Sequence, residues 1–145
     1  MSATAFAAVF CALYAAHSVG DHWVQTHHQA SRKGGAGWAG RLACAAHVAT
    51  LTAVKLAALG AVMAVTGLHL TPWGVALGLT IDAVSHYWAD RRITLLILAR
   101  RLGKEEFYKL GSRAQCLGTG AYALDQSWHI GWLFITALII AGGGA

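Results

Sequence analysis

The chain has 145 residues, of which 57% are hydrophobic and only 12% are charged. Average soluble domains are about 45–50% apolar and about 25% charged, so this composition excludes an ordinary soluble fold and a disordered chain. The formal net charge is +5, which favours an anionic partner. Because one small domain cannot bury so much apolar surface, we expect the lipid bilayer, and no nucleic acid, to be that partner.

Four stretches are long and apolar enough to cross a bilayer, which needs about 20 residues of helix. They lie at about residues 3–25, 42–68, 73–93 and 121–141. The N-terminal stretch has no basic segment ahead of it, so we take it as the first span and not as a signal peptide. The sequence therefore predicts an all-α fold, a four-helix bundle in a single transmembrane domain over residues 1–145.

The links between the spans predict the topology. Ten of the eleven Lys and Arg residues lie in the first link, at about 26–41, and in the third, at about 91–113. In the third link leucines alternate with cations, which is typical of an amphipathic helix at the headgroups. Because basic links stay in the cytoplasm, we expect a multi-pass protein of the bacterial inner-membrane type with both termini external.

Ionisable side chains within a span cost at least about 2.5 kcal/mol each, so they need a partner or a function. Residues four apart share one helix face, and counting from the cytoplasmic ends places most of this set at one depth. The residues that form this pattern are His17, Asp21 and Gln25 in the first span, His47 in the second, Asp82, His86 and Asp90 in the third, and Asp125 and His129 in the fourth.

Imidazoles and carboxylates together are ligands of zinc, manganese and non-haem iron. Carboxylates gathered in the membrane without a cation would repel one another. We therefore predict a site for one or two divalent ions, with zinc favoured and manganese or iron as alternatives. The predicted ligands are His17, Asp21, His47, His86, Asp90, Asp125 and His129.

Asp82 lies one turn deeper than the predicted ligands, at the depth of Lys55. We expect a structural ion pair between these two residues, with a catalytic Lys55 as the alternative. The remaining histidines lie near the interface or in links, and we expect them to be solvated or to contact headgroups. They are His22, His27, His28 and His69.

The order and spacing of these residues resemble a known pattern. His17-x3-Asp21-x3-Gln25, a single histidine in the next helix, His86-x3-Asp90 and Asp125-Gln126-x2-His129 resemble an uncharacterised family of small bacterial and phage membrane proteins. The resemblance covers nearly the whole chain and implies a shared membrane site without a reaction. More distantly, the pattern is similar to small membrane proteins described as metal-dependent hydrolases.

The function that these observations favour is a metal-dependent hydrolase for an amphiphilic phosphate or diphosphate at the cytoplasmic leaflet. Metal-bound water would attack the phosphoryl group while a carboxylate accepts the proton of that water. We predict catalytic roles for Asp21, Asp90, Gln25 and Gln126, and phosphate binding by Arg91 and Arg92. The positive-inside rule explains the same arginines without a substrate.

Two other functions use the same residues. A transporter or channel for a divalent metal or a proton would pass its cargo along the His/Asp cluster. It would need a polar path through the whole membrane, and at this length it would form a homo-oligomer. A structural or phage-type membrane protein would use the cluster only to hold its helices together.

Overall fold

The computed structural model describes residues 2–111 and 119–143. The described chain is all-helical, as predicted, and no strand occurs within those two ranges. Its α-helices are α1 (Ala3–Val19), α2 (His27–Arg32), α3 (Gly37–Thr66), α4 (Pro72–Asp90), α5 (Ile93–Arg101), α6 (Glu105–Lys109) and α7 (Gly120–Gly142), and a π-helical turn at Gly20–Val24 continues α1. Arg113, a cation of the predicted third link, lies outside the described residues.

Three of the four long helices begin at a side-chain cap. Ser2, Thr71 and Thr119 each accept a backbone hydrogen bond with the side-chain oxygen at the start of α1, α4 and α7. Such caps satisfy amides that a first helical turn leaves free. Helix α3 ends where Gly67 takes the left-handed conformation, with φ 70°, which a glycine adopts without a steric penalty.

Three helical segments are long and apolar enough to cross a membrane: Ala3–Val24, Gly37–Thr66 and Gly120–Gly142. The chain is therefore suited to membrane association. The predicted third span corresponds to α4, which is not one of the three. Asp82, His86 and Asp90 all lie within its 19 residues, and these polar side chains lower its hydropathy.

The four long helices pack around one apolar core. Helix α1 contacts α3 and α7, and α4 contacts α7 and α3. The core lies to one side of the polar residues, towards the start of α1 and the end of α7. Its main side chains are Val9, Leu13, Leu59, Leu79, Leu133 and Ile140. Large apolar side chains such as Trp73 and Val65 remain exposed, as lipid contact would allow.

The third link contains two short helices where the sequence predicted one amphipathic helix. Helix α5 buries Leu95 and Ala99 and ends in two arginines. Gly103, with φ 67°, separates it from α6. Both short helices contact α7, so the third link folds against the long helices beside their polar residues.

Candidate metal centre

The π-helical turn after α1 places Asp21. Its backbone bond runs from the Gln25 N–H to the Gly20 carbonyl at 2.9 Å, one residue longer than the α-helical pattern. A Cβ at Gly20 would lie 2.2 Å from Leu51 Cδ1, so α1 and α3 approach closely at this point. Single π-turns occur often at functional sites because they shift the side chains that follow.

Four imidazoles meet in the interior, one from each long helix. His17, His47, His86 and His129 are each exposed by 2% or less. The carboxylates of Asp21 and Asp90 lie among them, with side-chain exposures of 6% and 1%. The structure therefore brings together residues that the sequence placed at one depth.

Three ligand atoms from three helices converge. His47 Nε2 lies 3.1 Å from His86 Nε2 and 2.9 Å from Asp21 Oδ1, and His86 Nε2 lies 3.7 Å from that oxygen. Asp90 Oδ2 lies 3.3 Å from the Nε2 atoms of both histidines. Two histidines and two carboxylates from α1, α3 and α4 thus face a common point.

These separations fit a metal ion. A tetrahedral ion with bonds of about 2.0–2.1 Å holds its ligand atoms about 3.3 Å apart. A cation would also satisfy the same oxygens, because buried Asp21 Oδ1 and Asp90 Oδ2 accept no well-formed hydrogen bond from the described residues. Unsatisfied buried oxygens of this kind are rare and costly. The donor set and its geometry therefore suit a divalent ion.

The other two histidines lie on the far side of the same carboxylates. His17 Nε2 is 3.6 Å from Asp21 Oδ2, and His129 Nε2 is 3.9 Å from Asp90 Oδ1. His129 Nε2 also lies 3.4 Å from Asp125 Oδ1, whose side chain is 24% exposed. Asp125 is thus the most accessible carboxylate of the predicted ligand set.

The two predicted glutamines contact ligands of the cluster. Gln25 Nε2 lies 2.9 Å from His47 Nδ1, the ring nitrogen that faces away from the common point. Gln126 Nε2 lies 3.5 Å from Asp21 Oδ2 and 3.4 Å from Asp125 Oδ2. Gln25 is therefore placed to orient an imidazole, and Gln126 to orient two carboxylates.

Lys33 also contacts the site, although the sequence pattern did not predict this contact. Its Nζ lies 2.9 Å from Asp90 Oδ1, and its side chain is 11% exposed. The first link brings it there because α2 packs against α3 and turns the chain back. No spacing signal marks this position, since Lys33 lies in a glycine-rich basic link outside the predicted spans.

The two predicted phosphate-binding arginines differ in their contacts. Arg91 donates at 2.6 Å to the carbonyls of Lys33 and Gly35, and so holds the first link in place. Arg92 donates to the Ala30 carbonyl at 3.1 Å and also lines a polar cavity. Only Arg92 therefore has the position that a phosphate ligand requires.

The polar cavity lies beside the cluster and has a volume of about 520 Å³. Its walls include Asp21, Gln25, Lys33, Asp90, Asp125 and Gln126. His22 also lines it, and its Nε2 lies 2.9 Å from the Tyr122 hydroxyl. Burial raises the pKa of Tyr108 on the same wall, so that phenol stays protonated at neutral pH and can donate a hydrogen bond.

An apolar groove adjoins the polar cavity. It has a volume of about 480 Å³ and runs between α5 and α7. Leu95 lines both spaces, so the groove and the cavity lie next to each other at this residue. Polar and apolar spaces that share a wall suit a ligand with one polar end and one apolar end.

The chain matches no protein-family model, no curated protein and no solved structure. The candidate site is a buried His/Asp cluster able to hold a metal ion at the wall of a polar cavity.

Proposed function

We propose that this chain is a metal-dependent integral membrane hydrolase, acting on an amphiphilic phosphate or diphosphate at the cytoplasmic leaflet. The observation that carries the proposal is the convergence of His47 Nε2, His86 Nε2 and Asp21 Oδ1. These atoms lie within reach of one ion, and Asp21 also lines the cavity. Zinc suits this nitrogen and oxygen set best, with manganese or iron as alternatives.

The proposal includes a four-helix membrane bundle in which α4 is the remaining span. Helix α4 packs against α3 and α7 and turns its ionisable residues Asp82, His86 and Asp90 inwards. Leu77 and Val84 on the same helix are exposed, which suits contact with lipid. The short helices α5 and α6 then lie at the cytoplasmic headgroups, beside the entrance to the cavity.

The chain supplies separate groups for the ion, the proton and the phosphate. When bound, a divalent ion polarises a phosphoryl oxygen and acidifies a water molecule. Asp125 is the proton acceptor in this scheme, because its side chain is 24% exposed and lines the cavity. Lys33 and Arg92 line the same cavity and attract the phosphate by charge and hydrogen bonding.

The amphiphilic nature of the substrate follows from the two adjoining spaces. A phosphate in the polar cavity would place an attached hydrocarbon chain in the groove between α5 and α7. The groove walls are mainly apolar, with Leu98, Leu102 and Trp132 among them. Burial of a hydrocarbon chain there contributes to binding at about 25 cal/mol per Å² of apolar surface.

The two alternative functions explain less of the structure. A transporter needs a polar path, but the apolar core that contains Leu13, Leu59 and Leu133 lies beyond the cluster. A purely structural cluster would join its polar atoms by well-formed hydrogen bonds. Asp21 Oδ1 and Asp90 Oδ2 accept none among the described residues, although imidazole nitrogens lie 2.9–3.3 Å away.

Metal analysis of the purified protein tests the proposal. We expect at least one equivalent of zinc, manganese or iron in the wild type and its loss in His86→Ala and Asp21→Ala. The matched controls are His28→Ala and His69→Ala, because both histidines are exposed and remote from the cluster. Folded wild-type protein that binds none of the three metals would contradict the proposal.

Activity is tested on vesicles containing phosphatidic acid and on a prenyl diphosphate in detergent, with release of inorganic phosphate as the readout. We expect metal-dependent release that Asp125→Asn abolishes and that His69→Ala leaves unchanged. Metal-bound protein that releases no phosphate but carries ions into liposomes would instead support the transporter.

A further inference from the structure

We infer that the cluster holds a second divalent ion, between His17 and His129, and that Asp21 and Asp90 bridge it to the first. The inference rests on the proposed metal-dependent function and extends it to a two-metal centre. The first ion takes His47 and His86, and each bridging carboxylate gives one oxygen to each ion.

The carboxylate oxygens divide between the two pairs of histidines. Asp21 directs Oδ1 to His47, at 2.9 Å, and Oδ2 to His17, at 3.6 Å. Asp90 directs Oδ2 to His47 and His86, at 3.3 Å each, and Oδ1 to His129, at 3.9 Å. Each carboxylate thus contacts at least one histidine of either pair through different oxygens, as a bridging ligand does.

The ring spacings are compatible with two ions, one for each pair of histidines. Two imidazoles bound through Nε2 to one tetrahedral ion hold their ring centroids about 5 Å apart, given bonds of about 2.0–2.1 Å. The His47–His86 centroids are 5.2 Å apart, and the His17–His129 centroids are 5.0 Å apart. The His17–His86 spacing of 5.4 Å is similar, so the carboxylate contacts above select the pairs. The His86 and His129 rings instead stack at 3.9 Å with a 19° angle, which is too close for one tetrahedral ion.

Unpaired nitrogens mark the second position. Both ring nitrogens of His17 and Nε2 of His129 are buried without a hydrogen-bond partner among the described residues. Each of these histidines is only 2% exposed. Burying such atoms without a partner lowers the stability of the fold. A cation bound by the two Nε2 atoms explains why α1 and α7 place these imidazoles together.

Lys33 should make the two ions bind with unequal affinity. Its Nζ lies 2.9 Å from Asp90 Oδ1, the oxygen that the second ion requires. An ammonium group at that distance competes electrostatically with a divalent ion. The second ion should therefore bind more weakly than the first, and removal of the Lys33 charge should strengthen the second binding step.

A two-metal centre favours hydrolysis by in-line displacement at phosphorus. Paired ions about 3.5–4 Å apart stabilise both the attacking and the leaving oxygen during in-line displacement at phosphorus. The substrate of such a centre is a phosphate ester or a diphosphate whose oxygens reach both ions from the polar cavity.

The test is titration of the metal-free, full-length protein with Mn²⁺, followed by equilibrium binding and electron paramagnetic resonance. We expect two equivalents in the wild type, bound in two steps, with the spectrum of an exchange-coupled pair. His17→Ala and His129→Ala should each bind one equivalent and lose the coupling. Lys33→Gln should keep two equivalents and shift the second step to lower Mn²⁺ concentration.

The outcomes separate the two proposals. Wild-type protein that binds no ion contradicts both. One equivalent without coupling overturns the second site and leaves the proposed hydrolase standing. Two equivalents that persist in both histidine variants place the second ion elsewhere and also overturn the inference. If His17→Ala does not fold, His129→Ala and Lys33→Gln still decide the question.

Discussion

Lys55 and Asp82 form an ion pair in the interior between α3 and α4, with Nζ 2.5 Å from Oδ2. The Lys55 side chain is fully buried and that of Asp82 is 5% exposed. This confirms the pairing that the sequence predicted from their equal depth. Neither residue lines the polar cavity, so the contact favours the structural role over a catalytic lysine.

The first prediction concerns this pair. Lys55→Met leaves the Asp82 carboxylate buried without its partner, and such losses lower stability by about 3–5 kcal/mol. We expect a matching fall in the free energy of unfolding, measured by denaturant titration in detergent micelles. Asp82→Leu alone should cost a similar amount.

The double variant Lys55→Met/Asp82→Leu is the control. Replacing both charges by apolar groups of similar size is often neutral in a protein interior, so stability should largely return and metal content should not change. Loss of metal from the double variant would show that the pair belongs to the metal site.

The second prediction concerns Gln25 as a positioning residue. When His47 binds metal through Nε2, its proton lies on Nδ1, which must then donate a hydrogen bond. Rotating the Gln25 amide by 180° places Oε1 where Nε2 now lies, 2.9 Å from Nδ1. Loss of a hydrogen bond to a metal-bound imidazole lowers metal affinity about 10–100-fold. We expect a loss of affinity of this size for Gln25→Ala in a chelator competition titration.

Gln25→Glu should retain the affinity, because a carboxylate also accepts the Nδ1 proton. Gln126→Ala is the matched comparison, since Gln126 contacts carboxylates and no imidazole. Equal affinities of wild type and Gln25→Ala would remove the positioning role.

Much of the site was predictable because it depends on helix periodicity and on charge. A spacing of four residues places Asp21 with His17, and Asp90 with His86, on one face. The positive-inside rule predicts which helix ends are cytoplasmic, and counting from those ends places these residues at a common depth. Lys33 could not be found in this way, because its position depends on how Arg91 holds the first link, which is a tertiary contact.

The fold was predictable to the level of helices and less so at two places. Four long apolar stretches predicted the four long helices, but the polar face of α4 keeps its hydropathy below that of the other three. In the third link the apolar pattern continues past Gly103, whose left-handed conformation ends α5. A hydropathy pattern carries no signal for that break.

The third prediction tests the contact between the first link and α3. A Cβ at Gly40 would lie 2.1 Å from the Gly35 carbonyl oxygen, so Gly40→Ala must move the backbone near Lys33. We expect lower thermal stability and faster protease cleavage of residues 26–36. Gly60→Ala is the control on the same helix, because its added Cβ meets nothing within 4 Å; unchanged cleavage in Gly40→Ala would contradict the contact.

The fourth prediction tests whether α4 crosses the membrane. In a variant without Cys11, Cys44 and Cys116, one new cysteine is placed at His69, before α4, or at Lys104, after α5. Because basic links stay in the cytoplasm, a membrane-impermeant maleimide should label His69→Cys in intact cells. It should label Lys104→Cys only after the cells are permeabilised. Labelling of both from outside, or of neither, would mean that α4 does not span the bilayer, and the reverse pattern would invert the topology.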